Sequence, residues 1–172
     1  MHPSPDVLAA LDGLEPTGFE GTCYRWTSPD RQPLSGTGAR LMGGRWNPVG
    51  VPAIYLAQPE AACVAEFTKV AESQPGGRTG FLRPIVHEVY VEGLTVLNLR
   101  TNATRAAVGL SLAAIMAPDH TACREVGYAA SYLGVHAIVA PSSTGVGSVV
   151  AVYELNIRPA QLTVVRSYPL PE

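Results

Sequence analysis

The chain has 172 residues, 47% of them apolar, which is enough to bury one hydrophobic core in a single domain. Twelve basic and 14 acidic residues leave a net charge of -2, so no broad cationic surface is available to attract nucleic acid or an anionic membrane. We therefore predict no direct nucleic-acid binding and no membrane association.

The cysteines also restrict the class of protein. Cys23, Cys63 and Cys123 are odd in number, far apart and without a CxxC pair, so they predict neither a disulfide framework nor a thiolate zinc site. The four histidines are dispersed, and we expect no metal site. The first residues lack the basic flank and apolar run of a signal peptide, which favours a cytoplasmic location.

The first half of the chain predicts two strands and one long helix. Residues 1–20 are expected to be a loosely held lead-in. The β-branched and aromatic residues of 22–27 predict a strand, and 28–40 are rich in turn residues. A short apolar strand is expected at 52–57, followed by a helix at 58–73.

The second half predicts more strands than helices. The stretch "RPIVHEVYVEGLTVLNL" indicates two strands around Gly93, because its polar and apolar residues alternate. Helices are expected at 101–110 and 120–134, and three further strands at 135–141, 147–156 and 162–168. The sum is a single-domain α+β fold with a split or two-layer β-sheet core and flanking helices.

Glu66 interrupts an apolar stripe on the predicted helix 58–73. Ala62, Cys63, Glu66 and Val70 fall at helical spacing along one face. If this face is buried, the carboxylate needs a partner, because an unpaired buried charge is costly. Alternatively, Glu66 lies at the edge of the stripe and contacts Lys69 or water.

Two arginines share a local pattern, since Arg25 and Arg45 are each followed by tryptophan in a strand-like setting. A guanidinium group suits bidentate contact with phosphate, and an indole such as Trp46 offers a face for stacking. Together they would suit a ligand with phosphate and an aromatic ring. The alternative is a surface arginine beside a half-buried tryptophan, and Tyr55 in "PAIYLA" could equally be a core aromatic.

The stretch "APSSTGVGS" places Ser142 and Ser143 in a hydroxyl- and glycine-rich turn between two predicted strands. Its backbone amides could bind an anion, although it lacks the lysine and the length of a Walker loop. No glycine pattern in the chain matches the dinucleotide fingerprint, so a Rossmann site is unsupported. A plain hairpin turn is the alternative for this segment.

Several motifs together resemble a known family. "CYRWT", "SGTGARLMGGRWNPVGVPAIYLA", "AACVAEF" and "GVHAIVAPSS" are similar, in this order, to the RES domain, which is named for its Arg, Glu and Ser residues. The resemblance covers nearly the whole chain, so we predict a RES domain at 21–172 after the lead-in at 1–20.

The resemblance implies an ADP-ribosyltransferase-like fold and a toxin that degrades NAD by phosphorolysis or hydrolysis of the bond to nicotinamide. It also implies an antitoxin with a helix-turn-helix DNA-binding region that blocks the active site. By position in the motifs, Arg25, Arg45, Tyr55, Glu66 and Ser142 match the family's site residues. The segment after the serine departs from the family pattern, with "TGVGSVVAVYELN" where an Asn-rich stretch is common, so which of the two neighbouring serines acts is left open.

This site predicts a mechanism. Loss of neutral nicotinamide leaves positive charge on the ribose, which Glu66 would stabilise while Arg25 and Arg45 bind the pyrophosphate or an incoming phosphate. Tyr55 or Trp46 would stack on nicotinamide, and a serine would bind near its ribose. NAD is then a substrate, with inorganic phosphate as a possible co-substrate and no separate cofactor. The alternatives are ADP-ribose transfer to a macromolecule and a non-catalytic NAD-binding module.

Overall fold

A ring of β-strands forms the centre of the computed structural model, which describes residues 2–77 and 83–172. The helices are α1 (Pro5–Asp12), α2 (Thr37–Met42), α3 (Glu60–Glu72), α4 (Asn102–Ala107), α5 (Leu112–Met116) and α6 (Thr121–Tyr132). The strands are β1 (Thr17–Thr27), β2 (Ala53–Gln58), β3 (Ile85–Asn98), β4 (Ala137–Pro141), β5 (Ser148–Tyr153) and β6 (Leu162–Pro169).

The strands are ordered β1-β2-β5-β4-β3-β6, and an additional pairing of β1 with β3 closes the ring. Strand β3 pairs with β1 along one edge and shares its other edge between β6, from Ile85 to Val91, and β4, from Val96 to Asn98. Only the β3–β4 pair is parallel among the described pairings. The predicted α+β fold with a sheet core and flanking helices is confirmed, and the core takes the form of a closed ring.

The two faces of the ring bury different clusters. Along β2, Ile54 and Leu56 join the cluster inside the ring, whereas Ala53 and Tyr55 pack with the cluster that contacts the helices. Successive strand residues face opposite sides, so one short strand supplies both cores. The outer position of Tyr55 is the one that places it beside the candidate site.

Helix α6 packs closely over the cluster outside the ring, which includes Trp46, Ala53 and Tyr153 and is called the outer cluster below. A Cβ atom added at Gly127 would lie 1.9 Å from the carbonyl oxygen of Trp46, so only glycine fits at this position. Cys123, Val126 and Ala129 on the same helix are buried. The helix thereby fixes the backbone of the segment that follows Gly43 and Gly44.

Three features differ from the sequence predictions. Strand β3 runs continuously through Gly93, which adopts φ 59°, where two strands were expected. The short helices α2 and α5 were not predicted, because six and five residues carry too little periodicity to detect. The predicted lead-in contains α1 and the start of β1, and Leu11 of α1 is buried in the outer cluster.

Over residues 2–77 and 83–172, no helix combines the length and apolar character needed to cross a membrane.

Candidate functional site

A cavity of about 1050 Å³ opens beside the ring, where β1 and β2 diverge. The register of these two strands pairs Tyr24 with Ala57, and beyond this point β1 continues along β3 while β2 continues along β5. The cavity volume is close to the upper limit of the roughly 300–1,000 Å³ that is typical of small-molecule sites, which suits a dinucleotide-sized ligand. Of the predicted site residues, the cavity lining includes Arg25, Arg45, Trp46, Tyr55, Glu66 and Ser143.

Glu66 projects from the middle of α3 and is half-buried at the cavity wall. Its carboxylate has a specific partner, because the Oγ of Ser142 donates a hydrogen bond of 2.5 Å to its Oε1. Hydrogen bonds to an ionised acceptor are short and strong. Glu66 is therefore held in one orientation by a neighbouring loop and does not depend on Lys69, the partner considered from the sequence.

The loop that supplies Ser142 is itself tightly hydrogen-bonded. The Ser142 amide donates to the Gly147 carbonyl at 3.0 Å, and the Gly145 amide donates to the Ser142 carbonyl at 3.1 Å. Because the single hydroxyl proton of Ser142 is directed to Glu66, the Thr144 hydroxyl, 2.8 Å away, donates to the Ser142 Oγ. Ser142 is 1% exposed and lies behind the cavity wall, so the structure places it against Glu66.

The neighbouring serine has a different contact. Ser143 lines the cavity, and its Oγ accepts a hydrogen bond of 2.9 Å from the Lys69 ammonium. Lys69 lies one turn after Glu66 on α3 and also lines the cavity. Ser142 therefore contacts the Glu66 carboxylate, and Ser143 contacts the Lys69 ammonium.

Arg25 enters the cavity from β1 and is held by the loop that follows. Its Nη2 donates to the Ser35 carbonyl at 2.9 Å, while Glu154 accepts from the amide of Gly36 at 3.2 Å. Arg25 and Glu154 thus hold the two ends of one peptide unit. Burial lowers the pKa of Arg25, with Glu154 acting in the opposite direction. Its Nη1 is buried and has no hydrogen-bond partner among the described residues, which points to a ligand group that would accept from it.

The segment "GGRWNP" is folded around the hydroxyl of Tyr55. This hydroxyl accepts from the Trp46 amide at 2.9 Å and donates to the Asn47 Oδ1 at 2.7 Å. A Cβ at Gly44 would lie 2.5 Å from the same hydroxyl, and Gly43 adopts φ 72°, so both glycines are required by the local geometry. With its hydroxyl anchored here, Tyr55 is half-buried at the cavity wall.

Arg45 and Trp46 differ in burial and in their contacts. Arg45 is half-buried, and its Nη1 donates to the Ala117 carbonyl at 2.8 Å. Trp46 is 0% exposed and packs in the outer cluster, although its edge borders the cavity. We predicted Tyr55 or Trp46 as the stacking partner for nicotinamide; the burial of Trp46 favours Tyr55, and the choice stays a prediction. Tyr55 and Trp26 are half-buried and are the more exposed aromatic rings at the cavity wall.

A buried histidine lies behind Arg25. His87 is opposite Arg25 in the β1–β3 pairing, and its ring nitrogens lie 2.8 Å from the Thr27 Oγ1 and 2.7 Å from the Ser167 Oγ. Burial, and then the charge of Arg25, lower the pKa of His87 from 6.5. The hydrogen bonds of the neutral His87 ring therefore link β1, β3 and β6 beneath Arg25.

Sequence reasoning missed other residues at the cavity. His120, just before α6, lines it, and nothing in the sequence relates His120 to Glu66, 54 positions earlier. Glu154 was not singled out either, because its role depends on a loop 118 residues away. Lys69 could have been found, since it is three residues after Glu66 on the same helix.

The three cysteines are free and buried, and among the described residues no group of three or more His, Cys, Asp or Glu side chains is arranged to hold a metal ion.

The family model of the RES domain matches residues 22–171, so the chain belongs to the RES domain family, as its motifs predicted. It is 41% identical over 167 residues to NAD(+) phosphorylase MbcT of Mycobacterium bovis, covering 95% of this chain and 90% of that protein. MbcT of Mycobacterium tuberculosis shows the same identity and coverage.

A comparison with solved structures supports the same family and fold. A chain in the crystal structure of the M. tuberculosis MbcT–MbcA toxin–antitoxin complex matches with a TM-score of 0.88 and 38% identity, covering 97% of this chain and 93% of that chain. The fold and the family are thereby established, while the similarity to ADP-ribosyltransferases stays a prediction.

Proposed function

We propose that the chain cleaves NAD between nicotinamide and ribose and transfers the ADP-ribose unit to inorganic phosphate, acting as the toxin of a toxin–antitoxin pair. The observation that carries this proposal is a fixed carboxylate, Glu66, in the same cavity as Arg25 and Arg45. The relatives named NAD(+) phosphorylase support the reaction, and the MbcT–MbcA complex supports a partner.

The chemistry follows from the charges at the site. The C1′–N bond breaks, its electron pair leaves with nicotinamide as a neutral molecule, and positive charge develops on the ribose. A carboxylate held in place stabilises this charge without first having to reorient, which lowers the barrier. A phosphate oxygen then forms the new bond to C1′. In this proposal Glu66 faces the ribose, and Ser142 orients it.

The arginines bind phosphate groups of NAD or of the incoming phosphate, and the tyrosine binds the nicotinamide end of NAD. The buried, unpartnered Nη1 of Arg25 is a donor for a pyrophosphate oxygen, and Arg45 offers further donors to phosphate oxygens. Tyr55, whose hydroxyl is anchored by Trp46 and Asn47, presents its ring to nicotinamide. Ser143 lies at the cavity wall, where it contacts bound substrate or keeps Lys69 in place.

The test is the fate of NAD with the purified chain, with and without inorganic phosphate, and with products identified by mass spectrometry and ³¹P NMR. We expect ADP-ribose 1-phosphate and nicotinamide when phosphate is present. Label carried from NAD onto protein or nucleic acid would instead indicate a transferase, and NAD bound without loss would indicate a binding module.

Glu66→Gln tests the carboxylate. We expect turnover at least ~100-fold slower, about 2.7 kcal/mol, with the fold retained. Glu72→Gln is the matched control, because Glu72 lies on the same helix, is exposed and does not line the cavity. Wild-type turnover in Glu66→Gln would remove Glu66 from the mechanism.

An NAD-consuming chain requires restraint in its host, so we propose an antitoxin that carries a helix-turn-helix region and covers the cavity. The buried thiols and the NAD substrate are in keeping with action in the cytoplasm. Adding the purified partner should abolish NAD cleavage at a fixed stoichiometry. A partner that binds tightly but leaves turnover unchanged would refute coverage of the cavity.

A further inference from the structure

One corner of the cavity concentrates positive charge next to Glu66. Lys69 follows Glu66 by three residues on α3, so both side chains lie on one side of the helix. His120, just before α6, and Arg45, in the segment after Gly44, line the same cavity. The two cations Lys69 and Arg45, together with His120, are called the cationic corner below.

The cations of this corner have no carboxylate partner. Across residues 2–77 and 83–172, the ion pair within 4.0 Å joins Arg166 and Glu88, on the other side of β3. Lys69 donates to Ser143 and Arg45 donates to the Ala117 carbonyl. An ammonium has three N–H donors and a guanidinium has five, so both groups still have donors for an anion.

His120 is held in the neutral form by its surroundings. Burial lowers the pKa of His120 from 6.5, and the charges of Arg45, Arg124 and Lys69 lower it further, against the opposing effect of Asp119. The imidazole lines the same cavity as Arg45 and Lys69. A neutral imidazole offers one N–H donor, so His120 can add a hydrogen bond to an anion already attracted by its neighbours.

We propose that Lys69, His120 and Arg45 bind the inorganic phosphate that accepts ADP-ribose. This inference rests on the proposed function and assigns the second substrate to a particular place. The corner adjoins Glu66 through helix α3 and through the adjacent pair Ser142 and Ser143. An acceptor must reach C1′ of the ribose that Glu66 stabilises, so a phosphate bound here is next to the reacting carbon. Arg25, which approaches from β1, is left for the phosphates of NAD itself.

The step balances without any further reactant. An oxygen of hydrogen phosphate forms the bond to C1′, the C1′–N bond breaks, and the electron pair leaves with neutral nicotinamide. Phosphate already carries negative charge, so no base is needed to activate it. Water lacks the charge that Lys69 and Arg45 attract, and the corner therefore favours phosphate over water as the acceptor.

The experiment measures initial rates of NAD loss in Lys69→Met and His120→Gln, varying phosphate at saturating NAD and then NAD at saturating phosphate. In each variant we expect KM for phosphate to rise by about tenfold or more, equivalent to about 1.4 kcal/mol, with KM for NAD within about threefold of wild type. The share of free ADP-ribose among the products should increase, because water then competes better. Arg100→Met, which removes an exposed cation outside the cavity lining, should behave as wild type.

The outcomes distinguish failure of the phosphate site from failure of the proposed function. Unchanged KM for phosphate in both variants, with thermal unfolding as in wild type, would overturn the cationic corner. A rise in KM for NAD alone would assign the corner to the dinucleotide and equally overturn it. Failure of the proposed function gives a different result, because the wild-type chain itself would then form no ADP-ribose 1-phosphate.

Discussion

Removing the hydroxyl of Ser142 tests whether the carboxylate must be held in one orientation. Ser142→Ala deletes the hydrogen bond of 2.5 Å to Glu66 and leaves the carboxylate in place. A hydrogen bond to a charged group contributes roughly 1.5–3 kcal/mol. If this is expressed fully in the transition state, kcat falls by about 10- to 150-fold.

The same change also has a structural cost. The Thr144 amide donates to the Ser142 Oγ at 3.2 Å, and Ser142 is 1% exposed, so the variant loses an acceptor in a buried place. We expect the free energy of unfolding to fall by about 1–3 kcal/mol. Urea denaturation measures this separately from kcat and shows whether the variant is folded under assay conditions.

A double-mutant cycle attributes the kinetic effect to the Ser142–Glu66 contact. In a Glu66→Gln background, Ser142→Ala should change kcat by less than about threefold, because the orienting contact acts only through the carboxylate. Ser143→Ala provides the comparison, since its hydroxyl contacts Lys69, and it should affect KM for phosphate more than kcat. A folded Ser142→Ala protein with wild-type kcat would refute the reasoning.

Three further changes test other contacts. Glu154→Gln removes the charge that holds the peptide unit beside Arg25, so KM for NAD should rise by roughly fivefold, about 1 kcal/mol, with kcat less affected. Gly127→Ala places a Cβ against the Trp46 carbonyl and should lower the free energy of unfolding by about 1–3 kcal/mol or more, as measured in urea. The third concerns pH: because burial and Arg25 lower the pKa of His87 in the folded chain, the unfolded chain takes up its proton first as pH falls below 6.5. The contribution of His87 to the free energy of unfolding should therefore be fully present above pH 6.5 and should decrease as the pH falls towards 5.5. His87→Gln should flatten this pH dependence, as measured by urea titrations at each pH.

Each of these three predictions has an outcome that would contradict it. An unchanged KM for NAD in Glu154→Gln would mean that the loop holds Arg25 without the carboxylate. A Gly127→Ala protein as stable as wild type would mean that α6 shifts away from Trp46 at no cost. Identical pH profiles for wild type and His87→Gln would assign the acid sensitivity to other groups, such as His120, whose pKa is also lowered.

The site residues were accessible from the sequence where a motif carries them. Arg25, Arg45, Tyr55 and Glu66 stand in short stretches with recognisable neighbours, and the structure brings all four to one cavity. The choice between Ser142 and Ser143 was not accessible, because it depends on which hydroxyl faces Glu66. Adjacent residues of one loop differ here by their hydrogen-bond partners, and spacing along the chain carries no information about these.

Trp46 shows that a local pattern does not reveal burial. The repeated Arg-Trp pair suggested two equivalent ligand-binding positions, but Gly127 on α6 lets that helix approach close enough to bury Trp46 completely. The tight contact joins segments 81 residues apart, so periodicity within either segment cannot reveal it. Long strands and helices with clear periodicity, such as β6 and α3, were predicted to within a few residues.

The order in which the strands close the ring affects when the protein can act. The Ser142 loop and the two strands on either side of it come late in the chain, between residues 137 and 153, and the ring stays open until β4 and β5 are inserted between β2 and β3. A nascent chain still emerging from the ribosome therefore carries both arginines and Glu66 without a finished ring or the serine that orients the carboxylate. On the proposed function, synthesis itself delays NAD cleavage until most of the polypeptide has been made.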